Sequence, residues 1–171
     1  MIACIDVDYT DGPAGTRARA ACVVFPSWSA AAPTAEHLRE LTAVADYVPG
    51  RFFERELPCA LAVLEQVEHP LTTVVVDGYV VLDAAGKLGM GGHLHAALGG
   101  RIAVVGVAKN PYPGAPAIEV HRGDSSRPLY VTALGVTPEL AATQVEQMHG
   151  RFRLPTLLKR ADRLCRDGRP G

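Results

Sequence analysis

The chain has 171 residues, 48 % of them apolar, and 17 Lys and Arg balance 18 Asp and Glu to a formal net charge of −1. That length suits one domain with a single core, over residues 1–171, and the apolar content excludes a disordered chain. No apolar run reaches the ~20 residues of a membrane span, and no charged leader with an apolar stretch precedes the first acid, so a cytoplasmic protein without membrane contact is expected. Charge is nonetheless uneven. Residues 149–171 hold seven Lys or Arg against two Asp, a net of +5, which leaves −6 for the remainder. A basic segment beside an acidic body suits a polyanion held by cations next to metal-binding acids, although a solvated helix face fits as well. Cys4, Cys22, Cys59 and Cys165 show no C-x-x-C spacing and are expected to be reduced.

In chain order, Ile2 to Tyr9 alternates as a strand and Ala18 to Phe25 reads as its antiparallel hairpin partner. Pro26 to Pro33 is a loop. Ala35 to Ala45 is open between two states: Leu38, Leu41 and Val44 recur at helical spacing, but a third strand of a meander has the same length. Arg51 to Val67 has helical spacing, with Pro58 placed in the first turns of a helix beginning near Leu57, where its missing N–H does little harm. Leu71 to Asp77 is a buried strand, which Tyr79 to Leu82 could continue beyond a bend. Gly86 to Gly92 is a glycine-rich turn before a short helix, His93 to Leu98. Arg101 to Ala108 is a second buried strand, Ile118 to His121 and Leu129 to Thr132 form a hairpin, and Thr137-Pro138 opens a helix running to about His149. A basic helix, Leu157 to Cys165, closes the pattern. The order implies an α/β fold, a mixed sheet with helices packed on it.

The chemistry concentrates at strand ends. Thr73-Val74-Val75-Val76-Asp77-Gly78 is a run of β-branched residues ending in a carboxylate and a glycine. Desolvating even a neutral polar group there would cost roughly 2–7 kcal/mol, so a cation or a donor must meet Asp77. Asp6 and Asp8 share one face of the first strand, a pair tolerated either by solvent or by a hard divalent ion such as Mg²⁺ or Mn²⁺. Lys109 follows the second buried strand, so Asp77 and Lys109 both stand at carboxyl ends of strands, where open α/β sheets bind ligands.

Four elements occur in a particular order: Asp6-Val7-Asp8-Tyr9, then Tyr47-Val48-Pro49-Gly50 with Arg55-Glu56, then Val76-Asp77-Gly78, then Gly106-Val107-Ala108-Lys109. With His93-Leu94 and Arg151-Phe152-Arg153-Leu154-Pro155, this series resembles the endonuclease V family across most of the chain. The resemblance implies an RNase H-like fold, taken as a mixed five-stranded sheet flanked by helices. It also implies a Mg²⁺-dependent endonuclease (Mn²⁺ as substitute) for DNA or RNA containing deaminated purine, cut at the second phosphodiester bond 3′ to the lesion. Carried over by position, Asp6, Glu56 and Asp77 become metal ligands and Lys109 the cation near the scissile phosphate. Tyr47 and Pro49 become the wedge that fills the gap of an extruded base, and Gly50, Phe52 and Gly78 line its pocket.

The chain departs from the family pattern in three places. A second glycine and a His-Pro-Arg element after Asp77-Gly78 are replaced by Tyr79-Val80-Val81-Leu82, and Asp46 stands where the wedge has proline. The Ser-Pro-Gly-His element reads Thr132-Ala133-Leu134-Gly135, which leaves a fourth active-site position empty unless Glu139 fills it. These losses raise a second reading, a catalytically impaired relative that only binds nucleic acid. A third comes from Ile5-Asp6-Val7-Asp8-Tyr9-Thr10, which resembles the D-x-D-x-T signature of haloacid-dehalogenase-type phosphatases; the order of Lys109 after Asp77 speaks against it.

Overall fold

The computed structural model describes residues 1–13, 15–42 and 52–168, with Phe52 described by its backbone alone. Two long strands, β1 (Ile2–Gly12) and β2 (Gly15–Phe25), pair antiparallel from Ile2↔Phe25 to Gly12↔Gly15. The open segment resolves as a strand, β3 (Ala35–Leu41), antiparallel to β2. The helical spacing of its leucines loses because β2 offers an open edge of N–H and C=O groups that a strand satisfies and a helix does not.

Helix α1 (Phe52–Leu64) begins five residues earlier than the Pro58 argument requires, so Pro58 lies inside it. The proline gives no N–H to the preceding turn, and the helix persists on tertiary packing: Glu56, Cys59, Ala60 and Val63 form one buried stripe at helical spacing. Strand β4 (Thr73–Asp77) follows, then α2 (Met90–Ala97), which starts within the glycine-rich stretch, since Gly91 and Gly92 pack too closely on Val80 and Leu88 to allow a side chain. After β5 (Ala103–Ala108) come the hairpin strands β6 (Ile118–Val120) and β7 (Leu129–Leu134), then α3 (Pro138–Glu146) and α4 (Thr156–Asp167). Thr137 caps α3, accepting the Leu140 N–H on its hydroxyl at 3.3 Å.

All strands join one sheet in the order β3-β2-β1-β4-β5-β7-β6. The α/β class expected from the sequence holds, but the strands among the described residues number seven rather than five. The β6–β7 hairpin does not stand apart: β7 pairs antiparallel with β5 and extends the sheet. Only β1, β4 and β5 run parallel to one another, at the centre. One core, with Val23, Val75, Val105 and Val131, is covered by α3 and α4; the other, with Val24, Val74, Val76 and Val104, by α1 and α2. Trp28 packs against the first of these. The four cysteines are free and buried. No helix among the described residues is long and apolar enough to cross a membrane.

Candidate active site

The parallel centre of the sheet brings the acids together. The β1–β4 register runs from Ile2↔Thr73 to Ile5↔Val76, so the next residues outward are Asp6 and Asp77, on neighbouring strands spaced about 4.8 Å apart. Period-2 alternation puts Asp6 on the face of Cys4 and Asp77 on the face of Val75, the side covered by α4. Lys109 lies two residues beyond Val107, the partner of Asp77, and its Nζ donates to Asp77 Oδ2 at 2.6 Å. Asp6 accepts the Val7 N–H on Oδ1.

Glu56 arrives from the other face. Its place at the start of the buried stripe of α1 leaves it only 7 % exposed, on a cavity wall that it shares with Asp77. Burial pushes its carboxyl up to about 8, with the charges of Asp6 and Asp77 adding to the rise. Asp6 is pushed up to about 6, by burial first and then by Asp77. Lys109 is pulled down by burial, but its hydrogen bond to Asp77 and the charges of Asp77, Asp6 and Asp162 outweigh that and hold it above the ordinary lysine range. Asp6 and Glu56 are thus both raised, by burial first and by neighbouring carboxylates second, as like charges crowded in a poorly solvated place are.

Asp162 is the site residue that sequence reasoning missed. It stands on α4, where Leu158 and Ala161 face the same small cavity as Asp6, Asp77 and Lys109, and it forms an ion pair with Arg166 at 2.9 Å. The available signal was an acid on the buried side of an otherwise basic helix. Glu139, the suggested substitute for a fourth position, lies elsewhere, in a cleft between β6 and α3 with Glu119, His121 and Glu146.

A wider cavity, about 550 Å³, opens on the Glu56 side of Asp77. Gly78 lines it, turning the chain at φ +124°, a conformation that disfavours any side chain. Phe53, Tyr79, Met90, His93 and Tyr112 line it too. Phe53 stacks on His93 with ring centroids 3.7 Å apart, and Tyr79 donates its hydroxyl to the Asn110 carbonyl at 2.7 Å. Tyr47, Pro49 and Gly50 lie outside the described residues, as does the Phe52 side chain.

The segment after Asp77 is seated by β5 and β7. Val80 donates its N–H to the buried Thr132 hydroxyl at 2.9 Å, and a Cβ on Gly106 would stand 2.5 Å from the Gly78 carbonyl oxygen. Gly106→Ala is therefore expected to lower stability by about 1–3 kcal/mol and to displace Gly78 beside Asp77. Thermal unfolding together with ligand affinity would read both effects; an unchanged melting temperature would contradict the close approach.

The residues present suit a hard divalent ion. Carboxylate oxygens are its preferred donors, and a buried Glu56 beside two further acids calls for positive charge. Among the described residues, no three Asp, Glu, His or Cys side chains are drawn together closely enough to ring an ion as they stand. Glu56 stands on the helix that covers the opposite face of the sheet, and Asp77 is engaged by Lys109.

Comparison with known proteins agrees with this architecture. The family model for Endonuclease V matches residues 1–132. Endonuclease V of Streptomyces avermitilis is 33 % identical over 161 residues, 79 % of this chain and 69 % of the relative. That of Streptomyces coelicolor is 34 % identical over 143 residues, and the chain spans only 59 % of its length. The solved Streptomyces avermitilis structure superimposes with a TM-score of 0.78 at 29 % identity, over 98 % of this chain and 80 % of the other. Endonuclease V from Ciona intestinalis, solved with DNA containing an inosine, gives 0.78 at 16 % identity over 98 % and 84 %, a likeness of fold.

Proposed function

Because this chain belongs to the endonuclease V family, we propose that it hydrolyses strands containing deaminated purine, in a Mg²⁺-dependent reaction at the second phosphodiester bond 3′ to the lesion. The reading is supported by Asp6 and Asp77, one residue beyond the last paired positions of β1 and β4, by Lys109 bonded to Asp77, and by Glu56 on a cavity wall shared with Asp77.

Asp6, Glu56 and Asp77 would hold the ion, with Asp162 across the same small cavity as a fourth carboxylate. Bound there, Mg²⁺ or Mn²⁺ supplies Lewis acidity and a more acidic water. The protein's own groups do the rest. Lys109 keeps its proton through its contact with Asp77 and offsets charge that develops on the phosphate oxygens. The cavity bounded by Gly78, Phe53 and Tyr79 takes the base, whose extrusion costs a few kcal/mol of lost stacking. Tyr47 and Pro49 serve as the wedge in its place, and Gly50 and Phe52 complete the pocket. The phosphatase reading lapses with the family assignment.

Short end-labelled DNA and RNA strands carrying one inosine, with inosine-free controls, test the reading. The expected result with Mg²⁺ is a single product whose length places the cut one nucleotide past the inosine, with none in chelator. Retention of the inosine strand without cleavage under Mg²⁺ or Mn²⁺ would establish the binding-only alternative.

A further inference from the structure

Among the large apolar side chains described as exposed, Phe152 is the most open, at 58 %. It does not dangle from a loose loop. The guanidinium of Arg122, itself 5 % exposed, donates to the carbonyls of Glu146, Met148, Gly150, Phe152 and Arg153. Arg153 points inward as well, donating to the Lys109 and Pro128 carbonyls. With the backbone polar groups gathered inward, the Phe152 ring is left facing water.

Two cations flank that ring. Arg151 Cζ lies 5.0 Å from its centroid and Lys159 Nζ 5.7 Å. Other basic residues of the segment are engaged within the fold: Arg160 with Glu36 at 2.5 Å and Arg166 with Asp162 at 2.9 Å. Arg151 and Lys159 form no ion pair among the described residues, so their charge faces solvent. Position links the patch to the acids. Leu154, two residues after Phe152, and Leu158, beside Lys159, both line the cavity that holds Asp6, Asp77 and Lys109.

We propose that Phe152, Arg151 and Lys159 form a platform for a single-stranded stretch of nucleic acid flanking the scissile phosphate, with a base stacked on the ring and phosphates on the two cations. A duplex would hide the base faces that the ring needs, and an acidic peptide would use the charges but not the exposed π-face. The platform is independent of base identity, since every base has a π-face, and so it adds affinity without adding lesion specificity. It rests on the nucleic-acid reading above, not on cleavage.

The test is binding of the full chain to a fluorescent single strand of mixed sequence, with and without one inosine, by anisotropy over a salt series in chelator. F152A is expected to weaken both strands by the same factor, roughly tenfold, F152L to behave alike, and F152W to restore binding. R151Q/K159Q should lower the slope of log affinity against log salt by about 1.4. Wild-type affinity in F152A overturns the platform, as does a loss confined to the inosine strand or seen only in R151Q/K159Q. A cleaving wild type with an indifferent F152A would leave the nuclease reading standing alone. A non-cleaving wild type with Phe152-dependent binding would reverse the two, and a wild type that binds neither strand removes the platform.

Discussion

Asp77→Asn is expected to suppress cleavage of an inosine-containing strand by roughly three orders of magnitude while leaving the protein folded and still able to bind. The size follows from charge: a carboxylate proposed to hold an ion, and paired with Lys109, would control several kcal/mol of transition-state stabilisation, and an amide of the same shape supplies neither the charge nor the ion pair. Folding is spared because the Asp77 side chain is 39 % exposed at the strand end, and an ion pair so open to solvent contributes little to stability. Binding is spared in part because the amide keeps the shape that Asp77 gives to the cavity wall, and the Phe152 patch is untouched. Single-turnover cleavage against strand affinity separates these terms. Cleavage by the Asp77→Asn protein at the wild-type rate would remove Asp77 from the reaction.

The second large effect is on stability without metal. Glu56 titrates near 8 in the folded chain against 4.5 as its ordinary value, and Asp6 near 6 against 3.8. Well below the ordinary values of 3.8 and 4.5 both groups are protonated whether folded or unfolded, and no penalty arises. As pH rises the unfolded chain releases these protons first, so the unfolded state gains and stability falls, from about pH 4 until Glu56 itself ionises near 8. The total is on the order of a few kcal/mol. The metal-free protein is thus expected to melt at a higher temperature at pH 5.5 than at pH 8.5. A divalent ion should reverse that loss at the alkaline end, because ligands must be deprotonated to bind it. Glu56→Gln should flatten the slope, raise the metal-free melting temperature at pH 8.5 and abolish the response to Mg²⁺. A melting temperature that rises with pH in chelator would show that the carboxyls of Glu56 and Asp6 are not held high.

The accuracy of the sequence reading followed the range of the interactions concerned. The β-branched run into Asp77 is a strand end because Val74, Val75 and Val76 can satisfy a buried strand and the aspartate cannot be buried with them. Thr137-Pro138 opens a helix because its cap acts over one turn. Competition between elements was not visible. The segment from Ala35 to Ala45 has helical spacing, but Ala35–Leu41 within it is recruited by the edge of β2, and Pro58 is carried inside α1 by the packing of Cys59, Ala60 and Val63. The described sheet has seven strands rather than five, with β7 paired on the edge of β5 and β6 on β7.

The same division runs through the site. By itself the sequence determined which groups are present and in what order: three acids and a lysine, in the pattern of the endonuclease V family. Only tertiary structure decided which charges share a field. Asp6 and Asp77 meet because β1 and β4 lie parallel in register; Glu56 joins them from the opposite layer, and Asp162 comes from a helix that looked merely basic. The physical reason is that a carboxylate's role depends on its neighbours within a few ångströms and on the water removed around it, and chain connectivity encodes neither.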